Sequence, residues 1–200
     1  GAMVLATGWK PYDPSHLEYL GYGKHSNVIN SVTMEELANS GSIARPSDGK
    51  KVQSVAFIQR IGSRTDDSFS YGSSVSDLVA LKQAEYVRTL NPGAVSYVIY
   101  EHMITPGHNE LFYRKVQEDG STYFTKGNIA QLSQDSGGSV SVEVEDSLLG
   151  GGIRLQVDMV VLSTGMVPTS LDEDILHLEY KQGQDVPLAK HGFADSNYIC

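Results

Sequence analysis

The chain predicts an α/β fold: a Rossmann-like three-layer domain with a parallel sheet and an antiparallel meander. Three features carry that expectation. From Val52 to Leu90 a short apolar run, a Gly-Ser-Arg loop and a long helical segment follow one another. A second strand-then-helix pair follows Pro92-Gly93, with an apolar run at Val95–Tyr100 and a periodic segment at Pro106–Asp119. Alternating polar and apolar segments then appear between Gly137-Gly138 and Gly150-Gly151-Gly152, before a continuous apolar run, Met159 to Leu162. Strands alternating with helices favour parallel pairing, and strict alternation favours antiparallel strands with one wet face.

In chain order, Val4–Trp9 (VLATGW) reads as a strand ending in Thr-Gly, and Asp13–Asn27 as a surface loop with a short helical turn. Thr33–Asn39 reads as a short helix capped by Thr33, with Glu36 in capping-box position. The polar stretch Ser42–Lys51, with Pro46 and Asp48-Gly49, reads as a linker. Val55–Ile58 is apolar and rich in branched and aromatic side chains, as suits a strand covered on both faces. The helix after it can be capped by Ser74 with Asp77 three residues on, and it stops at Asn91-Pro92-Gly93. On a wheel, Val75, Val79, Ala80, Ala84, Tyr86, Val87 and Leu90 form an apolar arc opposite Lys82, Glu85, Arg88 and Thr89. Tyr123–Thr125 reads as a third strand, and Asn128–Ser133, Ser139–Glu145 and Arg154–Asp158 as the meander.

Composition excludes several classes. A net charge of −9 argues against a broad nucleic-acid-binding face. The one cysteine, Cys200, excludes an internal disulfide framework and a cysteine-ligated metal cluster within one copy of the chain. No apolar run approaches the roughly 20 residues that span a bilayer, so direct membrane insertion is not expected. The expected compartment is the cytoplasm, peripheral to a membrane only through partner subunits. Gly1-Ala2-Met3 reads as a cloning remnant. A start inside an apolar strand and an end at Tyr198-Ile199-Cys200 suggest a segment of something longer. The strand around Leu5 and the tail around Ile199, without their sheet neighbours, could mediate pairing between copies and give a homodimer.

Gly62-Ser63-Arg64 could cradle a pyrophosphate at a helix N-terminus. The loop carries one glycine of the G-x-G-x-x-G fingerprint, and Asp66 and Asp67 behind it repel phosphate. A retained fold with a lost site is therefore the reading favoured here. Glu101, at the end of the second strand, stands where a ribose-binding acid could sit, but reads better as a solvated strand end. His102 and His108 lack companion ligands for a metal. Arg60 and Arg64 suggest structural ion pairs, and no residue has motif support as a catalytic group.

VLATGW and VVLSTGMVP are two copies of one local pattern that brackets the domain. This resembles the FAD-dependent pyridine nucleotide–disulfide oxidoreductase superfamily, in which a strand ending in Ala-Thr-Gly leaves the flavin domain and another ending in Thr-Gly leads back. RPSDGKK (Arg45–Lys51), the VAFIQ and GSR motifs (Val55–Arg64), ALKQA (Ala80–Ala84) and VVLSTGMVP (Val160–Pro168) together resemble the heterodisulfide reductase A flavoproteins. They resemble more closely the relatives of these in the quinone-interacting membrane-bound oxidoreductase complex of sulfur metabolism.

The resemblance implies FAD in the longer protein, none in this segment, and partners among the other subunits of an electron-transfer complex, including a membrane-bound quinone-interacting one. It divides the chain into the remnant 1–3, a flavin-domain strand end and linker 4–49, an inserted NAD(P)-binding-like domain 50–165, and a return segment 166–200. Thr7, Gly8, Thr164 and Gly165 would mark the crossings beside the flavin; a tight strand-end turn accounts for the same glycines. Gly62, Ser63 and Arg64 would form a degenerate nucleotide loop. Family members hold an iron–sulfur cluster by cysteines at positions matching Arg60, Gly72, Ser76 and Asp77, and none of these supplies a thiolate. The segment alone is expected to be inactive. A non-catalytic docking domain and an NAD(P)H-binding reductase domain are the alternatives.

Overall fold

The computed structural model describes residues 8–61, 74–148 and 150–169. Its elements are β1 (Trp9–Pro11), β2 (Val28–Asn30), α1 (Ser31–Asn39), β3 (Ser54–Ile61), α2 (Ser74–Leu90), β4 (Val95–Tyr100), α3 (Asn109–Glu118), β5 (Thr122–Gln134), β6 (Val140–Asp146), β7 (Gly151–Val157), β8 (Met159–Thr164) and β9 (Met166–Pro168). Seven strands form one sheet in the order β2-β8-β3-β4-β5-β6-β7. The first five run parallel, and β5, β6 and β7 pair antiparallel. The expected three layers are present.

The crossovers β2→β3, β3→β4 and β4→β5 all move the same way across the sheet. Right-handed connections then put every crossover helix on one face. Met34 of α1 and Ala80, Ala84 and Val87 of α2 accordingly pack with Val55, Phe57, Val98, Met159 and Val161, and Tyr113 of α3 meets the Phe124 ring edge-on at 5.2 Å. Alternate residues of the same strands (Ala56, Ile58, Ile99, Val160 and Leu162) face the other way, against Leu132, Val140, Val142, Val144 and Val157 of the meander. β8 is buried along its whole length because it lies between β2 and β3 with both faces covered.

Several local expectations change. Tyr123–Thr125 and Asn128–Ser133 are one strand, β5, which changes partners midway. Ser96–Tyr100 pair with Thr122–Lys126, and from Gly127 onward β5 pairs with β6. Gly127 stands at this handover, where a Cβ would lie 2.4 Å from the Glu145 carbonyl oxygen. The sheet also extends into the stretch 4–49 expected as strand end and linker. β2 is only three residues long, too short to show a period, yet it hydrogen-bonds to β8. Leu17 and Leu20, in the expected surface loop, are buried in the core. The cap of α1 is Asn30, whose Oδ1 accepts from the Thr33 amide at 3.0 Å, so Thr33 lies inside the helix. On α2, Val75 of the expected apolar arc is exposed. The strand expected over Val4–Trp9 lies outside the described residues up to Thr7, and Trp9 opens β1.

The expected linker Ser42–Lys51 is a turn pinned at both ends. Ala44 bridges Lys51, and Gly49 turns the chain at φ 70°. Asn91, just beyond α2, donates from Nδ2 to the Ile43 and Val52 carbonyls (2.7 and 3.0 Å) and accepts from the Ile43 amide. Within the turn Arg45 grips Asp48 through two hydrogen bonds. The Arg45 guanidinium holds the Asp48 carboxyl down at about 2, from an ordinary value of 3.8.

Two outcomes are expected. Gly127→Ala should destabilise the fold by about 1–3 kcal/mol through overpacking against fixed backbone, read as a lowered denaturation midpoint. A depressed carboxylate contributes stability that is complete above its unfolded pKa and is lost as pH falls through its folded one. Asp48→Asn should therefore lower stability at neutral pH and flatten the acid limb of the stability profile between 3.8 and about 2, measured by denaturation across that pH range.

Candidate functional site

The parallel strands of an open α/β sheet end where ligands usually bind, at their carboxyl edge beside the helix N-termini. Here that edge is formed by the ends of β2, β8, β3 and β4, with α1 and α2 starting beside it. Gly62, Ser63 and Arg64 follow directly on β3 and lie outside the described residues, as do Thr7, Asp66 and Asp67. Glu101 follows β4 and is half-buried. Among the described residues no group of three or more His, Cys, Asp or Glu side chains is placed to hold a metal.

Gly8 and Gly165, far apart in sequence, are brought to one antiparallel ribbon of β1 and β9. Trp9 faces Pro168, and Pro11 faces Met166. The Tyr12 amide donates to the Gly165 carbonyl at 2.9 Å, and the Thr169 amide and hydroxyl donate to the Gly8 carbonyl at 3.2 and 3.0 Å. Gly8 has φ 71°, a left-handed conformation that suits glycine. Thr164, at the end of β8, is buried beside this ribbon. Entry and exit of the sheet thus share one two-stranded neck.

Beside the neck lies a cavity of about 260 Å³, whose walls include Trp9, Val32, Val75, Val79, Thr164 and Met166. Its rim carries an ion pair, Lys82 Nζ to Glu35 Oε1 at 2.9 Å. Burial opposes the charge on Lys82, yet Glu35 and the Tyr86 ring beneath it raise its pKa above the ordinary lysine value. Buried Gln83 donates to the Ser31 carbonyl and to Glu35, joining the start of α1 to α2. Trp9 opens onto this cavity, whereas Tyr12 packs against the meander-side core. Sequence reasoning missed the cavity, because its walls come from four separate segments.

Ser76 and Asp77, two positions where the resemblance puts cluster cysteines, are buried in the first turn of α2. Asp77 Oδ2 accepts from the Ile104 amide at 2.9 Å, tying the β4–α3 connection to the helix. Neither side chain offers the thiolate that an iron–sulfur cluster needs, and the carboxylate is already engaged across the structure. These residues do not fit the cluster.

The sheet order, the one-sided helices and the meander define the class by fold: a Rossmann-like α/β domain of the kind found in thioredoxin reductase. A thioredoxin reductase from Giardia duodenalis superposes with a TM-score of 0.51 at 13% identity, covering 82% of this chain and 43% of that one. No protein-family model matches. In sequence the chain is 36% identical over 176 residues, 84% of its length, to the second iron-sulfur A subunit of the CoB–CoM heterodisulfide reductase of Methanopyrus kandleri, of which it covers 27%. It is 34% identical over 183 residues, 88% of its length, to the A subunit of the H(2):CoB-CoM heterodisulfide,ferredoxin reductase of Methanothermobacter thermautotrophicus, of which it covers 28%. The chain is thus similar in sequence to heterodisulfide reductase A subunits, and it spans little more than a quarter of these relatives' length.

Replacing Asp77 by alanine leaves the part-buried Ile104 amide without this acceptor. Asp77→Ala should cost about 1–3 kcal/mol and accelerate hydrogen exchange at the Ile104 amide selectively, measured by NMR.

Proposed function

We propose that this chain is the inserted domain of an electron-transferring flavoprotein oxidoreductase of the heterodisulfide reductase A type. FAD, bound by the flavin domain of the longer protein, would carry the electrons, and the chain's Thr7-Gly8 and Thr164-Gly165 segments would lead to and from that domain. The β1–β9 neck supports this reading most directly. An insertion must leave and rejoin its host at one place, and here both connections run side by side as paired strands. The likeness to heterodisulfide reductase A proteins over 84% of the chain points the same way.

In this reading the loop at Gly62-Ser63-Arg64 has kept its place after β3 but lost its affinity for nucleotide. One glycine remains, and Asp66 and Asp67 oppose a pyrophosphate. The positions matching the cluster cysteines hold Arg60, Gly72, Ser76 and Asp77, so electrons pass through the flavin of the longer protein and through partner subunits. The setting is sulfur and energy metabolism, in a complex whose other subunits include a membrane-bound quinone-interacting one. No helix among the described residues is long and apolar enough to cross a membrane, so a partner would make that link.

The test has two arms. Calorimetric titration of the purified chain with NADH should give no binding in the micromolar range, and metal and flavin analysis should find neither iron nor FAD. The longer protein should hold FAD, which substitutions at Gly8 or Gly165 weaken. Micromolar NADH affinity would restore a reductase-domain reading, and stoichiometric iron in the chain would overturn the proposal.

A further inference from the structure

An open β-sheet has two edges, and each presents backbone N–H and C=O groups with which another strand can pair. The two edges of this sheet differ. β2 is three residues long, and its Val28 and Ile29 are buried. β7, at the opposite end, runs for seven residues, Gly151–Val157, and among the described residues it pairs with β6 alone. Gly151, Gly152, Arg154 and Gln156 are exposed along it, and Ile153 and Leu155 are half-buried.

Edges that stay unpaired are guarded by shortness, by proline or lysine, or by a bulge. β7 uses none of these guards. Its sequence, GGIRLQV, holds neither proline nor lysine. All seven residues pair with β6 in one unbroken register, whereas β5 shifts against β6 between Ile129 and Gln131. The one charged side chain on the strand, Arg154, reaches inward over the sheet, where its Nη2 donates to Glu143 Oε1 of β6 at 2.6 Å. Ile153 and Leu155 lie on the same face as buried Val157 and pack on the meander-side core, with part of each left bare. The edge is a regular apolar template with its single charge already neutralised.

We propose that β7 is an interface between two copies of this chain, joined edge to edge about a two-fold axis. An axis normal to the sheet makes the pairing antiparallel and the contact self-complementary. Facing residues point to the same side of a sheet, so the axis passes through one residue of the strand. Centring on Arg154 sets two guanidinium groups opposite each other, where like charges destabilise. Centring on Ile153 spends Leu155 on Gly151 of the second copy, and centring on Gln156 leaves Ile153 beyond the end of the facing strand. Centring on Leu155 brings Leu155 against Leu155, Ile153 against Val157 and Arg154 against Gln156. In that register the apolar row meets itself, and each Arg154 keeps its Glu143. One strand pair is a small interface of the weak, reversible kind. The inference is independent of the electron-transfer reading, since it uses only the edge and its sequence.

In analytical ultracentrifugation the full chain should pass from one copy to two as its concentration rises through the micromolar range. Leu155→Lys sets two lysines face to face and should hold the chain monomeric over the same range, with its melting transition retained. Thiol bridging tests the register independently, and decides the matter alone where the lysine variant does not fold. With the chain's one cysteine removed by Cys200→Ser, Leu155→Cys should link two copies efficiently through a short bismaleimide. Gln131→Cys, on β5 and so two strands in from the edge, should not. A chain that stays monomeric throughout would overturn the proposal. So would a dimer that survives Leu155→Lys, or one that Gln131→Cys links as readily as Leu155→Cys.

Discussion

The Asp158 carboxylate holds the architecture at its most demanding point. β8 comes late in the described chain but must insert between β2 and β3. Asp158 is the single residue between the end of β7 and the start of β8. Its Oδ2 accepts from the Gln53 and Ser54 amides at 2.7 and 3.1 Å, at the start of β3, and its Oδ1 lies 3.7 Å from Arg45. The same Arg45 donates to the Gly137 carbonyl in the β5–β6 turn. Asn27, before β2, donates to the Gly138 carbonyl and to Ser47, and accepts from the Ser47 amide. One connected polar layer thus sets the amino ends of β2, β3 and β8 and the tip of the meander against one another. Asn27 and Arg45 are buried within it, where unpaired polar groups are costly, so the layer favours one arrangement strongly.

A second constraint is steric. The sheet becomes three layers because β5 serves two partners, and only a residue without a side chain fits where it passes from one to the other. Beyond Gly127 the strand carries β6 and β7 over the face that the helices leave bare. Val140, Val142 and Val144 then cover Ala56, Ile58 and Leu162. The helix face closes by a different device, small residues at Ala80 and Ala84 that let α2 approach the strands.

These contacts explain why the motifs that carry the family resemblance are mostly structural. RPSDGKK is the turn that presents Arg45 to Asp48, Asp158 and the meander. ALKQA places two alanines on the sheet while Lys82 and Gln83 reach to α1. VVLS lies in the doubly buried strand β8. Family likeness here records a way of building a scaffold. The positions where chemistry would have been expected, Ser76 and Asp77, have become part of that scaffold.

The sequence alone determined what depends on near neighbours. Apolar runs gave β3, β4 and β8, the 3.6-residue period gave α2, and Asn91-Pro92-Gly93 gave its end, since these reflect burial and backbone geometry within a few residues. The Thr-Gly doublet precedes β1 and β9 in the chain, but their pairing belongs to the tertiary structure. Only the tertiary structure decided what depends on distant partners. β2 is a strand because β8 lies beside it, Asn91 is a clasp because Ile43 and Val52 lie within its reach, and Tyr123–Thr125 joins Asn128–Ser133 because β4 and β6 divide one strand between them. The cavity at Trp9 was hidden for the same reason. Its walls have no common period, and they meet only when the neck closes over α1 and α2.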